Sequence, residues 1–186
     1  EFKVTERQSG TFINTIDPLH VETLTSNELA KAACCNISES FETNASVDVN
    51  FTDAVSGTKK IQMLGLDGIY TQIQYENIPL VRGLSSAYGL TFIPGTQANS
   101  IQIKKGAGSV LNGYESITGQ INIELQKPDK AEKLYLNLYG NTMSRAEINL
   151  QTAQKLNDKW STMTMLHTST QQIDHDNNND NFHDNP

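Results

Sequence analysis

The acidic C-terminal end of the chain carries oxygen-bearing side chains at a spacing that suits a metal ion. Asp174, Asp176, Asn178 and Asp180 fall at alternate positions in the segment QQIDHDNNNDNFHDNP. Alternating carboxylate and amide oxygens are typical of the calcium loop D-x-[DN]-x-[DN]-G. Asn181 stands where that pattern has glycine, and its distal bidentate glutamate would lie beyond the last residue. The tail therefore predicts a solvated loop, with a calcium site at these four residues as the alternative.

Two further groups of residues have side chains that bind metals. Cys34 and Cys35 are adjacent, and a disulfide between neighbouring cysteines is strained. No other soft ligand lies near them in sequence, so we expect small buried residues, with a heavy-metal site as the alternative. His175 and His183 flank the acidic tail and are consistent either with a transition-metal site or with exposed side chains.

Charge and motif content exclude several classes of function. The formal net charge is −7, without a basic cluster, which argues against a nucleic-acid partner. The chain contains no HExxH, no G-x-S-x-G and no phosphate-binding loop, because GAGSVLNG lacks the Lys-[Ser/Thr] ending. No run of 18 apolar residues predicts a transmembrane helix. We therefore predict that the chain is not an enzyme and requires no cofactor.

The most informative structural element is the segment SIQIKKGAGSVLNGYESITGQINIEL, residues 100–125. Alternating apolar residues predict a strand at its start and a second strand at its end. Between these strands lie glycines, which allow backbones to approach where a side chain would collide. The segment therefore predicts two strands joined by a bend that depends on its glycines. The glycines are at positions 106, 108, 113 and 119.

This order of strand, glycine bend and strand resembles the end of the plug domain of TonB-dependent outer-membrane receptors, where the family reads roughly IERIEVLRGPASALYGSGAIGGVINI. The resemblance covers residues 19–127. It implies a receptor in the bacterial outer membrane, in which a plug fills a barrel and gates the uptake of a small molecule. It also implies TonB, the periplasmic energy transducer, as a partner, and no nucleic acid.

The elements before the hairpin fit such a domain. Alternation predicts strands at residues 20–24, 47–51, 60–65 and 73–75, with a turn at 66–68. Thr25 and Glu28 have the spacing of a capping box that opens the helix LAKAA, and a second short helix is predicted at 36–41. Residues 17–128 are therefore predicted to form an α+β plug domain, a small mixed sheet with short helices.

The pattern changes after residue 128. Three segments of strand length alternate apolar and polar residues, at 134–139, 146–151 and 162–165. In the third, Met163 and Met165 supply the apolar side and Thr162 and Thr164 the polar side. A soluble meander would alternate in the same way. After a plug, however, residues 129–186 are predicted to be the first three strands of a transmembrane antiparallel barrel of about 22 strands, in contact with lipid, and the start of an extracellular loop. Trp160 is predicted to lie at the membrane interface.

The resemblance also implies site residues. Residues 1–16 are the N-terminal segment, and Lys3, Val4, Thr5 and Glu6 resemble the Ton box that pairs with the transducer by strand addition. The loops at the apex of the plug align with residues 66–70 and 82–89 and imply a substrate-binding set. That set is Asp67, Tyr70, Arg82, Ser85, Ser86 and Tyr88.

The sequence departs from the family at two arginines. The first is replaced near Met63 and Leu64, and Lys105-Gly106-Ala107 stands in place of LRGP. Lysine is not equivalent to a forked guanidinium, so ion pairs between plug and barrel are in doubt. The resemblance leaves the cargo open among a metal chelate, cobalamin and an oligosaccharide. The alternative function is a soluble β-rich binding or adhesion module.

Overall fold

The computed structural model of the chain describes residues 11–14, 21–26, 28–29, 36–42, 44–51, 59–87, 89–142 and 144–171. Several predicted features lie outside these residues. In the described part, no helix is long and apolar enough to cross a membrane. The features outside the described residues are the Ton box at 3–6, Cys34, Cys35, Tyr88, and the tail that contains Asp174, Asp176, Asn178 and Asp180.

Within the described residues the strands form three sheets, of six, three and three strands. The large sheet has the order β1-β2-β8-β9-β6-β7, the small sheet β3-β4-β5 and the outer sheet β10-β11-β12. The strands are β1 Thr11–Asn14, β2 Val21–Thr25, β3 Val47–Phe51, β4 Lys59–Met63, β5 Leu66–Asp67, β6 Thr71–Tyr75, β7 Ile78–Val81, β8 Ala98–Lys105, β9 Gly119–Leu125, β10 Leu134–Gly140, β11 Arg145–Lys155 and β12 Ser161–Gln171.

The large sheet is mixed, as the sequence predicts. β8 and β9 are antiparallel neighbours, whereas β6 and β9 pair in parallel. Five odd-numbered isoleucines of these strands form the centre of the core, and none has more than 1% of its surface exposed. Each buried isoleucine contributes roughly 1.5–3 kcal/mol of transfer free energy, so this face holds the domain together. The central residues are Ile73, Ile101, Ile103, Ile121 and Ile123.

The opposite face of the large sheet carries buried amides, and we call it the amide face. Gln72, Gln74, Gln120 and Asn122 are all at least nine-tenths buried. Gln72 Oε1 accepts hydrogen bonds from Gln74 Nε2 at 3.0 Å and from Gln120 Nε2 at 2.6 Å. Because a buried amide without a partner is costly, these contacts account for how polar side chains can be enclosed here.

The small sheet differs from the prediction at its turn. The strand predicted for residues 60–65 ends at Met63, and Leu64 and Gly65 make the turn with φ of 54° and 77°. Leu66 and Asp67, which were predicted to be turn residues, instead pair with β4. Positive φ is uncommon for leucine, and the sequence carries no signal that places it there. This correction moves Asp67 from a loop into a strand.

The predicted short helices are only partly described. Ser26, Glu28 and Leu29 are helical, which agrees with the start of the LAKAA helix, but residues 30–35 are outside the described part. The helix predicted over 36–41 is shorter than expected, a 3-10 turn from Glu39 to Phe41. Phe41 is fully buried, so this turn serves to place an aromatic ring in the core.

The outer sheet has two different faces. On one face, which we call the outward face, Leu134, Leu136 and Leu138 are exposed. On the inner face, Gln151 Nε2 donates to Thr96 O at 2.7 Å, and Thr96 Oγ1 donates to Asn149 Oδ1 at 3.1 Å. Since Thr96 precedes β8, the inner face is the one that meets the large-sheet domain.

The prediction for the third strand of this sheet was wrong about its faces. The register pairs Thr152 with Thr164 and Gln151 with Met165. Thr164 therefore shares the outward face with the leucines, and Met165 lies on the inner face. Alternation identifies two faces of a strand, but only pairing with the neighbouring strand determines which face is which.

Glu76 fixes the chain where it leaves the large sheet. Its Oε1 accepts from Leu125 N at 2.7 Å, and its Oε2 forms an ion pair with Lys127 Nζ. The hydrogen bond from the Lys127 side chain is the main cause that lowers the pKa of Glu76, and partial burial opposes it. A carboxylate with a lowered pKa stabilises the fold at neutral pH and loses that contribution as it becomes protonated.

We expect Glu76→Gln to lower the free energy of unfolding at pH 7 by about 0.5–1 kcal/mol, because the change keeps an acceptor for Leu125 N but removes the charge. In the unfolded chain the carboxyl titrates near 4.5. The difference between the two proteins should therefore be complete above that pH and disappear as the pH falls below it. Urea unfolding at pH 7 and at about pH 3 measures this.

Lys127→Gln provides the control for this pair. If the ion pair carries the effect, Lys127→Gln should cost a similar amount and the double variant should cost little more than either single variant. A strictly additive double variant would show that Glu76 acts through other contacts.

Candidate ligand site at the loop end of the large sheet

The central strands of the large sheet, β8, β9 and β6, and the edge strand β7 start or finish at the same end. The register aligns Thr71 with Gly119 in the parallel pair and Lys105 with Gly119 in the antiparallel pair. The starts of β6 and β9 therefore lie beside the end of β8, and the end of β7 lies nearby, opposite Ile73. We call this the loop end. Loops that meet at one end of a rigid sheet are a common place for a binding site.

The backbone of Tyr70 ties two of these loops together. Tyr70 O accepts hydrogen bonds from Ile117 N at 3.0 Å, from Thr118 N at 3.1 Å and from Thr118 Oγ1 at 3.0 Å. The 3-10 turn Gly68–Tyr70 is thereby fixed against the end of the glycine bend. The aromatic ring of Tyr70 remains 39% exposed, so it can contact a ligand.

A cavity of about 290 Å³ opens between these loops. Three residues of the predicted substrate-binding set line it, namely Tyr70, Arg82 and Ser86. The remaining lining residues are Ile69, Thr71, Val81, Gly83, Tyr114, Glu115 and Ile117.

The other predicted residues do not line the cavity. Asp67 pairs with Lys60 Nζ at 2.9 Å in the small sheet. The Lys60 hydrogen bond is the main cause that lowers the pKa of Asp67, so this carboxylate stays ionised. Ser85 adjoins the cavity, but its hydroxyl donates to Arg82 O at 2.7 Å and accepts from Arg82 N at 3.0 Å. Tyr88 lies outside the described residues.

Arg82 and Glu115 form the charged centre of the site. Arg82 Nε and Nη2 lie 2.7 and 2.6 Å from Glu115 Oε1. Burial alone would raise the pKa of Glu115, but a backbone hydrogen bond and the Arg82 guanidinium outweigh it, and the pKa is lowered. The pair is therefore ionised at neutral pH and adds no net charge. Glu115 Oε2 is buried and accepts no hydrogen bond in the described structure.

Two buried side chains form hydrogen bonds with the backbone of the glycine bend. Gln72 Nε2 donates to Asn112 O at 2.6 Å, and Gly108 N donates to Ser116 Oγ at 2.7 Å. The bend is thus hydrogen-bonded at Asn112 to the amide face and at Gly108 to the buried Ser116 within the bend itself. Tyr114, which lies between these contacts, is 84% exposed.

Sequence reasoning missed Tyr114 and Glu115 as site residues. It used the glycines of this segment only as a signal for backbone conformation. The available signal was the pair of large side chains held between Gly113 and Gly119. Residues that lie between the glycines of a bend are exposed at the protein surface, where they can contact a ligand.

The chain matches a family model over residues 16–120, which is more than half of its length, and the model is described as the TonB-dependent Receptor Plug Domain. The chain belongs to this family. The predicted α+β plug followed by the first strands of a barrel is therefore confirmed, as is the location in the outer membrane. The family is a receptor family and not an enzyme family.

Solved structures with the same fold include several outer-membrane receptors. FpvA of Pseudomonas aeruginosa bound to a heterologous pyoverdine gives a TM-score of 0.65 at 19% identity, over 77% of this chain and 19% of that chain. The siderophore receptor PiuA from Acinetobacter baumannii gives 0.67 at 13% identity, over 87% and 22%. The copper transporter OprC gives 0.57 at 14% identity, over 80% and 23%.

The chain thus spans about a fifth of the length of the solved receptors that it matches. No curated protein matches it in sequence.

Gly113→Ala should destabilise the plug by about 1–3 kcal/mol and disrupt the Arg82–Glu115 pair. Gly113 has φ of +125°, and a Cβ there would lie 2.5 Å from Glu115 Oε2 and 2.9 Å from Arg82 Nη2. The matched control is Gly106→Ala, because Gly106 has φ of +95° but nothing within 4 Å of the added Cβ. Urea unfolding measures both losses, and equal losses would show that the collision with the ion pair is unimportant.

Proposed function

We propose that the chain is the plug and the first barrel strands of an outer-membrane receptor that takes up a small molecule with energy supplied through TonB. The observation that carries the proposal is the difference between the two ends of the large sheet. The loop end holds the cavity with its exposed aromatic rings. The opposite end holds Thr11, the first described residue of β1, and the connection to the outer sheet.

The N-terminal segment reaches that opposite end through the pairing of β1. Thr11 pairs with Leu24, and Thr25 pairs with Ser100, so β1 begins at the end of the sheet from which Leu125 leaves. In the proposed function this end faces the periplasm. Residues 3–6 then form the Ton box, which adds as a strand to the transducer.

The outer sheet supports insertion in the membrane. Its outward face is largely apolar or carries threonine, and its inner face is mostly polar, with tyrosine, amide and histidine side chains, although Met163 and Met165 also lie on it. Apolar residues outside and polar residues inside are the pattern of a transmembrane barrel. A soluble adhesion module would have no reason to expose Leu134, Leu136 and Leu138 in one row.

The cavity favours a metal chelate with aromatic or apolar groups as cargo. Two tyrosines and two isoleucines line it, and the Arg82–Glu115 pair is neutral overall. A volume of about 290 Å³ is small for a complete ligand pocket, so the plug would hold one face of the cargo and barrel loops the rest. Receptors for ferric siderophores among the solved structures with this fold support this choice over cobalamin or an oligosaccharide.

Purification of the complete receptor from its native membrane, followed by mass spectrometry of the bound molecule, tests the proposal. A metal chelate would support it. A bound oligosaccharide or cobalamin would contradict the proposed cargo but not the receptor function. Uptake that continues unchanged without the transducer would contradict the receptor function itself.

Tyr114→Ala should weaken cargo binding by about tenfold without lowering the stability of the plug, since loss of a stacked aromatic contact costs roughly 1 kcal/mol or more. The measurement is cargo affinity by calorimetry on the complete receptor. Phe92→Ala is the matched control, because Phe92 is a 78% exposed aromatic that does not line the cavity. Equal affinity in the two variants would place the cargo elsewhere.

Leu136→Arg should reduce the amount of receptor assembled in the outer membrane. Leu136 is paired with Leu150, which is paired with Leu166, so the change falls in the middle of an apolar row. A cation at the centre of the lipid face of a barrel costs about 2–4 kcal/mol. Asn137→Arg, one residue along the strand on the inner face, should assemble better, as judged by the receptor recovered in outer-membrane fractions. Equal recovery would show that the outward face does not contact lipid.

A further inference from the structure

The inner face of β12 carries a row of three side chains that are known ligands of soft metal ions. Met163, Met165 and His167 occupy alternate positions, and the register places them opposite Ala153, Gln151 and Asn149. All three are half-buried, whereas Thr164 and Leu166 between them are exposed on the outward face. The row therefore points toward the plug and away from lipid.

The histidine of this row is held in one tautomer. His167 Nδ1 lies 2.7 Å from Asn149 Oδ1, and Asn149 Nδ2 donates to Asn137 Oδ1 at 3.3 Å. Since the amide nitrogen of Asn149 is turned toward Asn137, its oxygen is the atom that faces the ring, and His167 Nδ1 must carry the proton. The lone pair of His167 is then on Nε2. A histidine that donates through one nitrogen to an amide or carboxylate oxygen is oriented for metal binding through the other.

The spacing allows the ligands to act together. Residues two apart on a strand are about 7 Å apart on the same face. Methionine has three rotatable side-chain bonds, so a thioether can bend along the strand toward its neighbour. Met165 lies between the other two and can share an ion with either of them.

The surroundings give an ion access to the row. A cavity of about 430 Å³ lies between the plug and the outer sheet. Gln151, the cross-strand partner of Met165, lines it together with Tyr135 and Asn137. An ion in this cavity could therefore reach Met165 without crossing the apolar core.

We propose that this row binds a soft monovalent cation, Cu(I), on the inner wall of the barrel, with Met165 and His167 as the ligand pair and Met163 as the neighbouring thioether that can replace one of them. Thioether sulfur and imidazole nitrogen select copper(I) over hard cations such as Mg²⁺ or Ca²⁺. The site lies on the outer sheet and not at the loop-end cavity. Its test is therefore independent of the cargo assigned under the proposed function.

The experiment uses Ag(I), a closed-shell analogue of Cu(I) that is stable in air, and the complete receptor in detergent. The reference protein for the variants below is a Cys34→Ser/Cys35→Ser receptor, which lacks the two thiols that would also bind Ag(I). Its calorimetric titration should show one Ag(I) held by the row. The double variant Met163→Leu/Met165→Leu removes both sulfurs at nearly constant volume and should weaken binding by at least about tenfold. Met63→Leu is the matched control, because Met63 is buried in the plug core and should leave binding unchanged.

X-ray absorption at the silver edge provides a second readout. We expect sulfur scatterers in the reference receptor, which lacks Cys34 and Cys35, and their loss when the two methionines are also replaced. His167→Gln should weaken binding but retain the sulfur signal. Unchanged affinity in the methionine variant, or only oxygen and nitrogen scatterers in the reference receptor, would overturn the proposal. Stronger binding of Zn²⁺ than of Ag(I) would also overturn it, since it would indicate a hard site centred on His167.

Discussion

The position of β9 between β8 and β6 is the constraint on which the rest of the structure depends. It pairs with β8 in antiparallel and with β6 in parallel orientation, so it is covered on both edges. Its isoleucines enter the core, and its amides enter the opposite face. At its first residue, Gly119, an added Cβ would lie 2.2 Å from Lys104 O and 2.6 Å from Met63 Sδ. No larger residue fits there, and this close approach brings the small sheet against the large one.

Parallel pairing of β6 with β9 also builds the loop end. Parallel strands cannot be joined by a tight turn, and the chain from Ile78 to Thr118 returns to the starting end of β6 before β9 begins. The start of that return carries Arg82, and its end carries Tyr114 and Glu115. The site thus results from the topology, because the crossover must pass the end of the sheet twice. The ion pair between Arg82 and Glu115 joins the two passes.

The two faces of the large sheet differ in how they are held together, because the amide face relies on hydrogen bonds between neutral side chains and the opposite face on buried isoleucines. Its hydrogen bonds run between neutral groups, such as Gln120 and Gln72, and each is worth about 0.5–1.5 kcal/mol net. Water can replace such contacts at modest cost, whereas exposing the isoleucine face would cost far more. A plug built in this way has one face that resists separation and one that tolerates water.

Much of this architecture could be predicted from the sequence, because strand alternation and glycine spacing act locally. The pair β8 and β9, the glycine bend and the alternating strands of the outer sheet all follow from such patterns. Other features depend on contacts distant in sequence. The turn at Leu64 needs a positive φ that leucine rarely adopts. The position of Tyr114 at the cavity depends on how loops distant in sequence pack together. The faces of β12 required its register with β11.

Three ion pairs lie within the plug or within the outer sheet and do not join the two parts. Arg82 pairs with Glu115 and Lys127 with Glu76 inside the plug, and Arg145 pairs with Glu147 inside the outer sheet. The contacts that join the two parts at Thr96 are made by a hydroxyl and amides. Because uncharged hydrogen bonds are little screened by salt, the strength of these contacts should change little with ionic strength. Replacement of the family arginine near Met63 and Leu64 leaves no guanidinium at that position to form an ion pair.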